Sequence, residues 1–327
     1  VIESQKQAIQ NCAARRINRR FAGEIAALSK LKPRRSFQAI LFDWVVILVS
    51  AGLASYIDHL LGYIIAILLI ASRQHALFVL THEGAHKLIH SKLFINDTIS
   101  NVFCAFPLFV RTESYRNHHR SHHQFLNTDR DPDWVRKIAR SEWQFPQTTL
   151  NFSKNLGKYI LGYGFVEVCF FILGLNKVSK PYRTAKIAFA AAYYTSALAM
   201  LLYFDLFFEF TIFWLIPYAY LLPLLNRVRS IAEHFGLGQN SIFTQSRTII
   251  PPRLEAFFFA PHHVNYHLDH HLVAAVPFYN LPKLHQHFRS FADYRNHAHI
   301  NDSYSNFGKN SLLTDILKGK AVLNEVY

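Results

Sequence analysis

The feature that most constrains this chain is an apolar stretch running from Phe37 to about Leu80, broken only at Ser55-Tyr56-Ile57-Asp58-His59. A bilayer core of ~30 Å is crossed by about 20 helical residues. The stretch therefore predicts two spans joined at the polar break, the first over residues 37–56. The second begins near Leu60 and runs past Ser72-Arg73-Gln74-His75 toward Leu80, with Arg73 expected to snorkel to the interface. Another apolar pair lies between Ala185 and Leu225, interrupted at Phe204-Asp205-Leu206-Phe207-Phe208-Glu209. Composition agrees: of 327 residues, 51% are hydrophobic and 17% charged, against roughly 25% charged in soluble globular proteins. That excludes disorder and disfavours an ordinary soluble enzyme.

Two shorter apolar stretches carry breaks. Residues 98–110 contain Pro107 and are too short to span comfortably, so a re-entrant or interfacial element is expected. Residues 156–174 contain Gly157, Lys158, Gly162, Gly164 and Glu167 and are expected on the membrane surface.

Charge gives an orientation. The chain carries 35 basic and 21 acidic residues, a net +14. Lys6, Arg15, Arg16, Arg19, Arg20, Lys30, Lys32, Arg34 and Arg35 all precede the first span, and neither hairpin turn holds a Lys or Arg. By the positive-inside bias the basic face is cytosolic, and the charge is accounted for by anionic headgroups rather than nucleic acid. The first 36 residues are basic and polar, with no apolar core of a signal peptide. Cys12, Cys104 and Cys169 lie far apart and make neither a disulfide framework nor a C-x-x-C metal site. No internal repeat or low-complexity tract is evident.

Most of the 19 histidines fall in tight groups. Thr81-His82-Glu83-Gly84-Ala85-His86 gives H-x3-H at the end of span two, while His119-Arg120-Ser121-His122-His123 and His267-Leu268-Asp269-His270-His271 each give H-x2-H-H. His234 follows span four. Residues three or four apart share one face of a helix, so each group is a set of converging ligands. Nine imidazoles are more than one metal can use and suit two six-coordinate ions with room for oxygen or water. Imidazole binds Fe, Zn, Cu and Ni, and an iron pair capable of O2 chemistry is the sharpest reading. Topology is consistent, because all the groups share one face if an even number of crossings separates them. His82-Glu83-Gly84-Ala85-His86 also reads as H-E-x-x-H, the helix of a zinc metalloprotease with Glu83 as general base. That reading leaves His119, His122, His123, His267, His270 and His271 without a role.

Together the boxes resemble the membrane-bound fatty-acid desaturase/hydroxylase superfamily. The likeness covers about residues 37–290 and extends to Asn127-Thr128-Asp129-Arg130-Asp131-Pro132-Asp133 and to Asn265-Tyr266, with Val276-Pro277-Phe278-Tyr279-Asn280-Leu281-Pro282-Lys283-Leu284-His285 resembling acyl-lipid desaturases. The resemblance implies an all-α membrane protein with four transmembrane helices in two hairpins and a cytosolic helical cap carrying a His-rich di-metal site. It implies His82, His86, His119, His122, His123, His234, His267, His270 and His271 as ligands of two iron ions, with O2 as co-substrate. Asn117-His118-His119 leaves His118 or His119 to open box two. Box three begins with His267 rather than Gln, which disfavours the front-end type, and no H-P-G-G haem motif of a fused cytochrome b5 is present. An external donor of ferredoxin or cytochrome b5 type is therefore expected. The implied reaction is double-bond formation in a membrane lipid or acyl chain, with hydroxylation or ketolation of a lipid or carotenoid as the alternative on the same ligands.

The organisation expected is a basic cytosolic segment over 1–36, hairpins over 37–81 and 185–225, and His-bearing cytosolic or interfacial regions over 82–184 and 226–327. Glu83, Glu233, Asp131, Asp133 and Asp269 are candidates to accept an imidazole N–H behind a metal, and Asn265 to orient a water or a ligand or to hold a turn. Of the other histidines, His75 is expected in the core, His90 among headgroups, His59 in the far turn, His262 and His263 in packing roles, and His285, His287, His297 and His299 on the surface.

Overall fold

The computed structural model describes residues 15–178, 184–238, 241–306 and 310–318. Lys6 and Cys12, the junction at 179–183 ahead of the second apolar pair and the end of the C-terminal region at 319–327 lie outside the described residues. The described chain is mostly helical and forms two compact units, one from the described residues of 32–119 and 156–226, the other from those of 15–31, 120–155 and 227–318.

Among the described residues, four helices are long and apolar enough to cross a membrane: Pro33–Ile57, Leu60–Ala85, Thr184–Tyr203 and Phe207–His234. The first starts on Pro33, whose missing N–H and fixed φ suit a helix's opening position. It stops at Asp58, which turns left-handed at φ 47. His59 then restarts the helix, its Nδ1 accepting the Leu61 N–H. The two helices pack against each other along their length. Leu41, Leu48 and Leu53 point outward, more than half exposed, as lipid-facing side chains do.

The second helix runs on to Ala85, past the expected end near Leu80, because its polar run is buried in protein. Ser72, Arg73, Gln74 and His75 are all buried. Arg73 therefore does not snorkel: its Nη1 donates to Asp43 Oδ1 at 3.1 Å and its Nη2 to Ser72 Oγ at 2.7 Å. Breaking a buried pair strands the remaining charge at a cost of about 3–5 kcal/mol, whereas an apolar pair of similar volume is near neutral. Arg73→Met is thus expected to lower unfolding stability in detergent by about that amount, and Asp43→Leu added to it to restore most of the loss.

Both shorter apolar stretches form limbs of bent helix pairs. Leu93–Leu108 meets Thr112–Gln124 at 88°, and Thr149–Ile160 meets Tyr163–Leu175 at 69°. The first bend follows from Pro107 and from Phe109 at φ 58, the second from Gly162 at φ 94. Irregular backbone among apolar helices must find its hydrogen bonds within the protein. Tyr194 Oη donates to Phe106 O, Trp214 Nε1 to Pro107 O and Tyr218 Oη to Leu108 O, at 2.9 to 3.2 Å. Trp214 and Tyr218 lie in π-helical turns of the fourth long helix, and Gln74 donates to the Trp214 carbonyl at 2.9 Å.

The other unit is built around box three. Ile17 and Phe21, from the basic N-terminal segment, are buried against Leu268, Leu284, Phe288 and Tyr294. Thr248–Ile249 pairs in parallel with Ile300–Asn301, the one strand pairing among the described residues. It lies beside the helix His267–Leu272, with Leu268 N donating to Arg247 O at 3.3 Å.

Candidate metal centre

A tetrad of imidazoles converges in the unit that carries box three. His122 comes from the helix Thr112–Gln124, His234 from the end of the fourth long helix, and His267 and His271 from one face of the helix His267–Leu272. Their ligand atoms all lie within 4.8 Å of one another. His122 Nε2 is 3.2 Å from His234 Nε2, which is 2.9 Å from His267 Nε2, and that in turn is 3.0 Å from His271 Nε2.

The tautomers follow from what stands behind the rings. His122 Nδ1–H donates to Asp131 Oδ2 at 2.9 Å and His234 Nδ1–H to the Gln245 carbonyl at 3.3 Å. His267 Nδ1 faces Glu233 Oε1 at 3.3 Å. A carboxylate or carbonyl can only accept, so each Nδ1 carries a proton, and in the neutral ring each Nε2 presents a lone pair inward. Converging lone pairs in a buried space repel unless a cation stands among them. His271 is held well below the ordinary imidazole pKa by burial and then by the surrounding His123, His267, His234 and His122, which favours its neutral form. The donor set fits a divalent transition metal, with acceptors behind three of its four ligands.

The remaining box histidines belong to both units. In the same unit, His123 Nε2 is 3.1 Å from His270 Nε2. In the other unit, His82, His86 and His119 face one another, with ring centroids 4.4 to 4.8 Å apart. His82 occupies the last turn of Leu60–Ala85 and His86 its C-cap. Gly84 between them lets the helix end lie against Ser100, since a Cβ there would stand 2.1 Å from Ser100 Oγ. His119 rather than His118 joins this triad, and His118 packs edge-on against Phe171 at 5.3 Å.

The supporting residues divide. Asp131 and Glu233 stand behind His122 and His267, while Glu83 Oε1 is 3.6 Å from His82 Nδ1. Asp133 belongs to a close group with His122 and Asp131, and it pairs with Arg136 at 3.2 Å. Among the described residues, the Asp269 side chain makes no hydrogen bond to the nine rings. It accepts from Tyr294 Oη at 2.9 Å, Thr248 Oγ1 at 2.9 Å and His285 Nδ1 at 3.1 Å. Burial and the Asp269 charge raise the Tyr294 pKa well above its ordinary value, which keeps that hydroxyl a donor. Asn265 holds the chain rather than a ligand, donating to Ile249 O at 2.6 Å.

His285 corrects an expectation. It is buried at 5% exposure and anchored on Asp269 rather than lying on the surface. His299 is likewise half-buried and bonded to Asp315 at 2.8 Å. His75 is buried, and His59 and His297 are exposed, as expected. Arg116, Gln245, Arg247, Thr248 and Tyr294 carried no signal in the sequence, because each acts on a residue distant along the chain.

Comparison with known proteins bears on the chemistry of this arrangement. A family model described as fatty acid desaturase matches residues 58–303. The dihydrorhizobitoxine desaturase of Bradyrhizobium elkanii is 26% identical over 272 residues, covering 78% of this chain and 76% of that protein. The sn-1 acyl-lipid omega-3 desaturase (ferredoxin) of Nostoc sp. (strain 36) is 27% identical over 118 residues, 36% of this chain and 31% of that protein.

Proposed function

Because the chain belongs to the fatty acid desaturase family, and is thus an oxidoreductase of the membrane, we propose that it introduces a double bond into an acyl chain at a pair of irons held by His82, His86, His119, His122, His123, His234, His267, His270 and His271. The observation that carries this reading is the tetrad, with its buried Nε2 atoms turned inward and three rings backed by acceptors. Bound iron supplies the activation of O2 and the abstraction of hydrogen from an unactivated methylene. Overall, O2 takes two electrons from the substrate and two from a donor, with two protons from the medium. It leaves as two waters, and one C=C bond replaces two C–H bonds.

The chain's own part is to hold the ligands. Asp131, Gln245 and Glu233 fix the tautomers of His122, His234 and His267. Asp269, held by Tyr294, Thr248 and His285, steadies the helix that carries His267, His270 and His271. The two long helix pairs are read as membrane hairpins whose His-bearing ends face the cytosol, the side of the basic residues ahead of Phe37. An acidic, ferredoxin-type donor suits that face, and one relative is named for ferredoxin. The acyl assignment rests on the Val276–His285 pattern and on the acyl-lipid relative, whereas the relative matched along most of its length is named for dihydrorhizobitoxine.

Profiling the fatty acids of a host that expresses the chain against one that lacks it tests the proposal. New acyl species two mass units lighter, absent under anaerobic growth, are expected. An unchanged acyl profile, with the change in another metabolite, would overturn the substrate class, and products sixteen units heavier would favour hydroxylation.

A further inference from the structure

We infer that Arg247 is a positioning residue of the metal centre, fixing the end of the His234 helix and the start of the box-three helix as one piece. The inference rests on the reading of the tetrad as a metal site.

An α-helix ends with carbonyls that lack intrahelical partners and with a partial negative charge. At the end of the His234 helix a single side chain reaches four carbonyls, two in the last turn and two just beyond it. Arg247 Nη1 donates to Ile231 O at 3.2 Å, Ala232 O at 2.9 Å and Phe235 O at 3.4 Å, and Nη2 reaches Phe235 O and Gly236 O at 3.4 and 3.5 Å. The main chain of the same residue completes the joint. Arg247 N donates to Glu233 O at 3.1 Å, and Arg247 O accepts from Leu268 N at 3.3 Å. One residue thereby ties the turn bearing Glu233 and His234 to the turn bearing His267.

A helix end alone does not require this. Gly236 is left-handed at φ 64, the backbone conformation in which helices commonly end without any charge. Burying a guanidinium is costly unless it is paired, and the Arg247 side chain is wholly buried. Its counter-charge is Asp315 at 3.6 Å, itself held by His299 and Asn301. What the fork adds over a neutral cap is a fixed angle to several carbonyls at once, which an ammonium group does not give.

The other unit repeats the device independently. Arg116 Nε donates to Ala85 O at 2.8 Å and its Nη2 to Gly84 O at 2.9 Å, at the end of the helix bearing His82, and the guanidinium pairs with Asp97. In two segments unrelated in sequence, a helix that ends in metal-ligand candidates ends on an arginine backed by an aspartate.

Cobalt(II) titration of chelator-stripped, full-length protein in detergent tests the inference, because the d–d bands report ligand geometry without turnover. Two bound ions are expected for the unsubstituted chain. Arg247→Lys is expected to weaken one of them by about 10–100-fold, the usual effect of losing a group behind a ligand. Its bands should shift, whatever melting temperature the metal-stripped protein keeps. Arg227→Lys is the control: it lies within the His234 helix, is equally buried and donates to Glu142 O rather than to that helix's last carbonyls. It should lose stability and keep cobalt affinity within twofold. Wild-type affinity and bands in Arg247→Lys overturn the inference and leave the tetrad intact, as does an equal loss in Arg227→Lys. Failure of the parent chain to bind cobalt overturns both. If Arg247→Lys does not fold, Asp315→Asn removes the counter-charge and spares the fork; a smaller weakening in the same direction supports the inference, and unchanged affinity overturns it.

Discussion

His267→Ala is expected to abolish product formation, by about a thousandfold or more, equivalent to about 4 kcal/mol of barrier. The size follows from position. His267 Nε2 lies 2.9 Å from His234 Nε2 and 3.0 Å from His271 Nε2, so it is central to the tetrad, and its Nδ1 faces Glu233 at 3.3 Å. Alanine removes one lone pair and leaves a buried carboxylate without its imidazole, so metal and activity are lost together. Folding should survive, because the neighbouring Leu268 and Asp269 remain tied to Arg247 O and Thr248 Oγ1. Turnover measured beside circular dichroism separates the two effects. A zinc protease working through His82, Glu83 and His86 would be indifferent to this substitution.

Asp131 gives the second large effect, and its two substitutions separate two roles. The carboxylate is fully buried and accepts from His122 Nδ1 at 2.9 Å, Asn127 N at 3.0 Å, Asp133 N at 2.9 Å and Trp134 N at 3.3 Å. It both caps the helix Pro132–Ile138 and orients a ligand ring. Asp131→Ala should lower iron affinity by about 10–100-fold and cost about 1 kcal/mol from the cap alone. Asp131→Asn keeps a good cap but loses the charge behind His122, so affinity should fall while the melting temperature holds. Iron titration together with thermal unfolding reads both, and parent-like iron affinity in Asp131→Asn would mean that the carboxylate orients nothing.

What the sequence made legible was periodic or local. Hydropathy located the four long helices, although the fourth runs on past Leu225 to His234, and the three- and four-residue histidine spacings identified rings that the fold brings into close groups. Hydropathy alone could not show that Arg73 has a partner, because Asp43 lies a helix away and nothing local marks the pair. The same limit hid the site's supports. His285 sits in a polar stretch that reads as surface, yet Asp269 and Tyr294 bury it. Arg247 reads as one basic residue among many until the carbonyls of Ile231 and Ala232 arrive from another segment. His118 and His119 were indistinguishable by spacing, and only the roll of the helix, which turns His118 toward Phe171, separates them.

The central claim is that the histidines of this chain hold two irons. It is tested most directly by elemental analysis of the purified, full-length protein beside His267→Ala. The account predicts close to two iron atoms per chain in the first and about one or fewer in the second. A single zinc per chain, or an iron content that His267→Ala leaves unchanged, would contradict it.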